Sequence, residues 1–241
     1  KPAILSSYSQ FTIYEPKERL ISVVPFIDRV MHHAIMNVLE PVFEKQFIYH
    51  TYACRKGKGS HKAIKYAFSK AKNCDYFLKL DVKKYFENID HNILKRKLSK
   101  IIKDKDCLDL LFDIIDSFSI EKGLPIGNLT SQFFANLYLS ELDHFVLENL
   151  KPSGYCRYMD DFILFSNSKI DLKKMLNRIE SFCLNNLLLT LKPYILGKCK
   201  DGIAFLGYKI TCKNVDLLQK SKKRKKVKLK RINYELKNGF I

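Results

Sequence analysis

Apolar positions recur at helical spacing over residues 28–48, with Val30, Ala34, Ile35, Val38, Leu39, Val42 and Phe43 forming the expected buried face. Pro41 is expected to break or kink this segment. Residues 52–60 (YACRKGKGS) form a basic loop with two glycines, and His61 to Lys72 reads as a helix. Residues 76–82 (YFLKLDV) alternate apolar and polar like a half-buried strand that delivers Asp81 near its C-terminal end. Residues 91–118 read as helical. Residues 123–127 (GLPIG) are a turn-rich lead into a helix that Asn128 or Thr130 is placed to cap. The apolar face of that helix runs through Phe133, Phe134, Leu137, Tyr138 and Leu142. Two short apolar runs in 155–166 (YCRYMDDFILFS) flank Met159-Asp160-Asp161, which predicts a β-hairpin with the aspartates at its tip. Residues 169–188 are amphipathic and helical, 203–211 (IAFLGYKIT) read as a strand, and 220–231 (KSKKRKKVKLKR) begin a basic helix. Strands alternate with helices on an α+β plan.

Composition sharpens this picture in one direction. Hydrophobic residues make 46% of the 241 positions and aromatics 12%, ample for a packed interior in one or two units. Lys and Arg number 43 against 25 Asp and Glu, for a net charge of +18, so the surface attracts polyanions. Nine Lys/Arg and no acid stand within 220–231, so half of that excess is one local block. No apolar run approaches the roughly 18 residues a membrane helix requires, and no membrane partner is expected. The start, Lys1-Pro2-Ala3, lacks the order of a signal peptide and lacks Met, as expected of a fragment. The seven cysteines are scattered, odd in number and form no CxxC pair, which predicts reduced thiols in a cytoplasmic protein. His32 and His33 are neighbours on a helix and point apart, with no third ligand at useful spacing, so they read as structural or surface histidines.

Three carboxylates carry the candidate chemistry: Asp81 at a strand end, and Asp160 and Asp161 at a hairpin tip. Clustered aspartates repel unless a cation neutralises them. Hard oxygen ligands suit Mg²⁺, and two such ions activate a 3′-hydroxyl and stabilise a leaving pyrophosphate. A basic protein with this triad is a candidate nucleotidyltransferase. Aspartates are also common in turns and helix caps, so the flanking sequences decide.

Those flanks carry a resemblance. Tyr158-Met159-Asp160-Asp161 between apolar strands resembles the YxDD box of reverse transcriptases (RNA-directed DNA polymerases). Residues 79–90 (KLDVKKYFENID) resemble that family's first carboxylate motif, with Tyr85 and Phe86 four and five residues after Asp81. Residues 123–132 (GLPIGNLTSQ) resemble the motif lining the nucleotide pocket, and Phe205-Leu206-Gly207-Tyr208 resembles the primer-grip hairpin. The motifs occur in family order over roughly 15–211. Group II intron-type enzymes carry Gln-Gly-x-x-x-Ser-Pro in the pocket motif. Here Ile126 replaces that Gln and Gln132 replaces that Pro, a departure similar to the reverse transcriptases of diversity-generating retroelements.

The resemblance implies a right-hand polymerase whose antiparallel palm sheet is backed by helices. Fingers would occupy 1–75, with a connection over 92–122. The palm would occupy 76–91 and 123–212, and a thumb would begin in the basic segment 213–241. It implies that Asp81, Asp160 and Asp161, with the Val82 carbonyl, hold two Mg²⁺ ions, with Mn²⁺ as a substitute. Tyr85 would sit under the incoming sugar, with Phe86 beside it; Ile126 and Gln132 would shape the nascent base pair. Lys17, Arg19 and Arg55 would meet the nucleotide, and Lys192 would act near the pyrophosphate as a general acid. Lys56, Lys58, Lys222, Lys223, Arg224, Lys225 and Lys226 would hold nucleic acid. The implied partners are template RNA, a DNA or RNA primer, dNTPs and a small basic helical accessory protein, in a bacterial or phage-encoded setting. Two rivals stand beside this reading: the same chemistry in an antiviral-defence or group II intron-like system, and a non-catalytic RNA-binding scaffold with a polymerase fold.

Overall fold

The computed structural model describes residues 8–14, 18–119 and 121–238. A hairpin of β1 (Ser9–Ile13) and β2 (Arg19–Val23) leads into α1 (Phe26–Glu44) and α2 (Ser60–Asn73). Strand β3 (Tyr76–Asp81) is followed by a 3₁₀ turn (Tyr85–Asn88), α3 (His91–Ile101), α4 (Lys105–Asp116) and α5 (Leu129–Phe145). A hairpin of β4 (Gly154–Tyr158) and β5 (Asp161–Ser166) precedes α6 (Lys169–Leu187) and β6 (Ile195–Lys198). The chain continues through β7 (Ile203–Phe205), β8 (Tyr208–Ile210), β9 (Val215–Leu217) and α7 (Gln219–Lys237).

The central sheet is antiparallel, in the order β4-β5-β3-β6. Strand periodicity sorts its side chains onto two faces. Leu78, Leu80, Tyr155, Phe162 and Leu164 join the main core with α5 and α6, whereas Phe77, Cys156, Ile163 and Phe165 join a second cluster with α2 and the β7–β8 hairpin. Both faces are therefore covered, and β3 is not the half-buried strand that its alternation predicts. Helix α2 presents Ala63, Ala67 and Ala71 to that second cluster, small residues that let it lie close to β4. Helix α5 packs against α1, α3 and α6 and is buried around most of its circumference.

Five expectations are corrected. Helix α1 buries Asp28, His32, Met36, Leu39 and Phe43, while Val30 and Val38 face solvent. Pro41 does not end it; the helix runs on to Glu44, and the carbonyl that loses its donor belongs to exposed Asn37. The predicted helix over 91–118 is two helices, each capped by an aspartate: Asp90 accepts from Ile93 N at 2.9 Å and Asp104 from Cys107 N at 2.7 Å. Asn128 precedes α5 but makes no capping bond; its amide donates to Tyr8 Oη at 3.2 Å. Residues 203–211 are not one strand but a hairpin of β7 and β8, with Leu206 and Gly207, both at positive φ, at its turn. Among the described residues no helix is long and apolar enough to cross a membrane.

Candidate active site

Sheet register assembles the carboxylates. Asp81 ends β3 and lies directly opposite Asp161, the first residue of β5, which also pairs with Tyr158 of β4. Asp160 occupies the connecting turn, where its carbonyl accepts from Val82 N at 3.2 Å. The preceding residue, Met159, adopts a left-handed φ of 58°, which turns the chain sharply enough to put both aspartates beside Asp81.

Burial and mutual repulsion perturb these groups. Desolvation, then the charge of Asp81, raises the Asp160 carboxyl. Desolvation raises Asp161 to about 6, against the opposing pull of Lys79. Lys79 Nζ lies 3.0 Å from Asp161 Oδ2 and donates to the Ala204 carbonyl at 2.7 Å, so it ties the carboxylate to β7. Lys192 Nζ lies 2.6 Å from Asp81 Oδ1, and its backbone N donates to the Asp81 carbonyl at 2.8 Å. Asp161 Oδ1 is buried with no hydrogen-bond partner among the described residues. Among the described residues no three His, Cys, Asp or Glu side chains already stand as one ligand set; Asp161 and Asp81 pair instead with Lys79 and Lys192. An all-oxygen donor set with an orphaned buried oxygen and raised carboxyls still fits a hard divalent cation, which would replace the ammonium charges.

The remaining candidates divide. Ile126 and Gln132 flank the start of α5, both half-buried, and no hydrogen-bond partner of the Gln132 side chain stands among the described residues. Ser22 N donates to the Ile126 carbonyl at 2.8 Å, which joins β2 to the pocket motif. Arg19 starts β2, is exposed, and its charge reaches Asp160. Lys17 lies outside the described residues. Val82 is fully buried behind the triad.

Tyr85 is displaced from its expected role. It is 3% exposed and its hydroxyl donates to the Ala135 carbonyl at 2.5 Å, so it belongs to the core. Phe86, half-buried, is the aromatic left near the surface, and its carbonyl accepts from Leu124 N at 2.8 Å, next to the pocket motif. Arg55 is also corrected: its side chain is 6% exposed, pairs with Glu44 at 2.7 Å and donates to the carbonyls of Ile48 and Thr51 at 2.7 and 3.0 Å. It locks the basic loop from within. Lys58 turns onto the Tyr49 ring at 3.3 Å and donates to the Tyr49 carbonyl, while Lys56 stays exposed beside Glu40.

Phe205 is buried and Leu206, Gly207 and Tyr208 are half-buried at the hairpin tip, where the Gly207 carbonyl accepts from Leu218 N at 3.0 Å. That bond places Lys222, Lys223, Arg224, Lys225 and Lys226 on α7 directly after the hairpin, all but Arg224 exposed. The sequence pattern gave no role to Lys79. Its signal was spacing: two residues before Asp81 on one strand, it shares that residue's face.

The reverse transcriptase (RNA-dependent DNA polymerase) family model matches residues 14–210. The COX1/OXI3 intron 2 protein of Saccharomyces cerevisiae is 23% identical over 250 residues, 76% of this chain and 29% of the relative. The group II intron-encoded protein LtrA of Lactococcus lactis subsp. cremoris is 29% identical over 140 residues, 55% of this chain and 23% of that protein. The chain thus spans less than a third of the length of these two curated relatives. Apo telomerase from Candida tropicalis superposes with a TM-score of 0.69 at 15% identity, over 89% of this chain and 55% of that one, and carries the same right-hand polymerase fold. A match across the carboxylate strands, the pocket motif and the hairpin, on this shared fold, makes the chain a member of the reverse transcriptase (RNA-dependent DNA polymerase) family.

Proposed function

We propose that the chain performs RNA-templated DNA synthesis by nucleotidyl transfer, with Asp81, Asp160 and Asp161 holding two Mg²⁺ ions or Mn²⁺ in their place. The observation that carries this reading is the direct pairing of Asp81 with Asp161 beside the Asp160 turn, in a chain of this family. Bound divalent ions supply activation of the primer 3′-hydroxyl and charge neutralisation of the pyrophosphate. Lys192, now on Asp81, swings to the leaving pyrophosphate and donates its proton there. Phe86, rather than Tyr85, limits space at the sugar 2′ position, and Gln132 offers an unengaged amide to the nascent pair.

The fingers span 1–75 with 92–122, the palm 76–91 and 123–212, and the thumb begins at 213. Phe205–Tyr208 grips the primer end, and α7 lines the path of the template–primer duplex through backbone contacts rather than base readout. Arg19 neutralises triphosphate charge from the β1–β2 hairpin.

Ile126 supports an error-prone, diversity-generating role with a small basic accessory protein, because an aliphatic side chain offers the nascent pair no directed hydrogen bond. The intron-encoded relatives favour a second reading, a group II intron-like enzyme. Primer extension on an RNA template with dNTPs and Mg²⁺ tests the activity: folded protein that binds RNA without incorporating nucleotide is a scaffold instead. Replacing Ile126→Gln and reading the error spectrum tests the role. Fewer misincorporations opposite adenine support diversification, and an unchanged spectrum refutes it.

A further inference from the structure

Arg157 is among the largest fully buried side chains, at 0% exposure, one residue before the Tyr158 of the aspartate turn. An arginine carries five N–H donors. Here Nε and Nη2 grip Asp143 at 2.7 and 2.6 Å, Nη2 also reaches the Asn136 carbonyl at 3.3 Å, and Nη1 donates to Asn136 Oδ1 at 3.1 Å and to the Met159 carbonyl at 2.9 Å. Every donor is used. The partners are fixed in turn: Tyr155 Oη donates to Asp143 at 2.7 Å, and Asn136 Nδ2 donates to the Ala53 carbonyl at 2.9 Å. The Arg157 backbone pairs with His50 and Tyr52, each at 3.0 Å.

The bond to Met159 bears on the chemistry. Met159 is a non-glycine residue in the left-handed region, a conformation that persists only where the surroundings impose it. Its carbonyl belongs to the peptide that leads into Asp160. That turn is thus pinned at two points, by Arg157 on the Met159 carbonyl and by Val82 N on the Asp160 carbonyl.

We propose that Arg157 is a positioning residue: anchored on Asp143 and Asn136 of α5, its guanidinium holds the left-handed turn that aims Asp160 at Asp81. The proposal rests on the polymerase reading of the triad. It also couples α5, whose first turn carries Gln132, rigidly to the carboxylate hairpin.

Two variants test it. Arg157→Lys keeps a cation opposite Asp143 but lacks the fork that also reaches Met159. The pair Arg157→Met with Asp143→Leu removes both buried charges together, which leaves no uncompensated ion. Melting temperature, single-turnover kcat and dNTP KM, and Mn²⁺ binding followed by electron paramagnetic resonance are measured for each. Both variants are expected to lose about 100-fold in kcat, with dNTP KM within about twofold of wild type. Mn²⁺ affinity is expected to fall about tenfold in both. A double variant that melts like wild type and keeps wild-type kcat and Mn²⁺ affinity overturns the proposal, because the pair is then only structural. If Arg157→Lys fails to fold, the double variant alone decides; if the double variant fails to fold, Met159→Gly in wild type and in Arg157→Lys decides, because glycine adopts the left-handed turn unaided and should recover most of the roughly tenfold loss in Mn²⁺ affinity in the Lys background alone. No recovery overturns the proposal. If wild type extends no primer while Arg157→Lys still weakens Mn²⁺ binding, the polymerase reading fails and the positioning role stands.

Discussion

Gly127 is the point where the pocket motif meets the β1–β2 hairpin, and adding one methyl group there should separate them. A Cβ at Gly127 would lie 2.5 Å from the Ser22 carbonyl oxygen and 3.2 Å from Ile21 Cγ2, and its φ of 137° lies where L-residues are strained. The nearest obstacle is backbone, so rotamer changes cannot relieve it. Strain of this kind costs about 1–3 kcal/mol. The Ser22 N to Ile126 O bond beside it contributes a further ~1 kcal/mol when it breaks. Gly127→Ala therefore imposes about 2–4 kcal/mol. The hairpin strands are mostly exposed, so the hairpin yields before the core does. The cost should then appear in nucleotide use: a fall in kcat/KM for dNTP of about 30- to 700-fold, at 1.4 kcal/mol per decade. Most of it should lie in KM, with the melting temperature lowered by only about 2–4 °C. Gly57→Ala is the control, since Gly57 has a φ of 70° but no described residue within 4 Å of an added Cβ. Steady-state kinetics on an RNA template with thermal melting reads both quantities. A Gly127→Ala protein with unchanged KM, or one no different from Gly57→Ala, refutes the claim that this contact sets the pocket.

Three further outcomes are expected. Phe86→Val should admit ribonucleotides in a primer-extension competition, whereas Tyr85→Leu should leave sugar selectivity unchanged and lower stability by about 2–4 kcal/mol through the cavity and the lost bond to Ala135; the reverse pattern would restore Tyr85 as the sugar contact. Lys79→Met removes the link between Asp161 and the Ala204 carbonyl and should weaken primer-end use, read as a higher primer KM; unchanged primer KM would make Lys79 a packing residue. The Asp161 carboxyl is raised to about 6 from 3.8, so the folded state holds its proton longer than the unfolded state, and stability from this group is lost as pH rises between about 4 and 6. The loss is at most about 3 kcal/mol. Denaturation of wild type and Asp161→Asn without metal should therefore diverge across that window, with the variant the more stable at pH 7; parallel curves would refute the shift.

Sequence pattern located most elements and the triad, since strand alternation and helical spacing are local properties. It failed where a distant partner decides the outcome. Val30 and Val38 look like the core face of α1, yet the core lies on the Asp28–His32–Met36 side, where the packing against α5 falls. Arg55 looks like a ligand for phosphate because it sits in a basic, glycine-bearing loop, but Glu44 captures it. Arg157 and Asp143 look like ordinary surface charges until the fold buries them against each other at 2.6 Å. Tyr85 and Phe86 are adjacent aromatics of similar size, and only the 3₁₀ turn decides which one faces inward. The break at Asp104 was legible as a capping residue between two amphipathic helical runs.

Asp81, Asp160 and Asp161 are proposed to form one carboxylate site for nucleotide addition. Single-turnover incorporation of one dNTP on an RNA template with a recessed primer, in Mg²⁺, tests it most directly when wild type and Asp160→Asn are compared at equal RNA occupancy. Wild type should incorporate the nucleotide and Asp160→Asn should not do so detectably, with template–primer binding unchanged. Substantial incorporation by the folded, RNA-bound Asp160→Asn protein would contradict it.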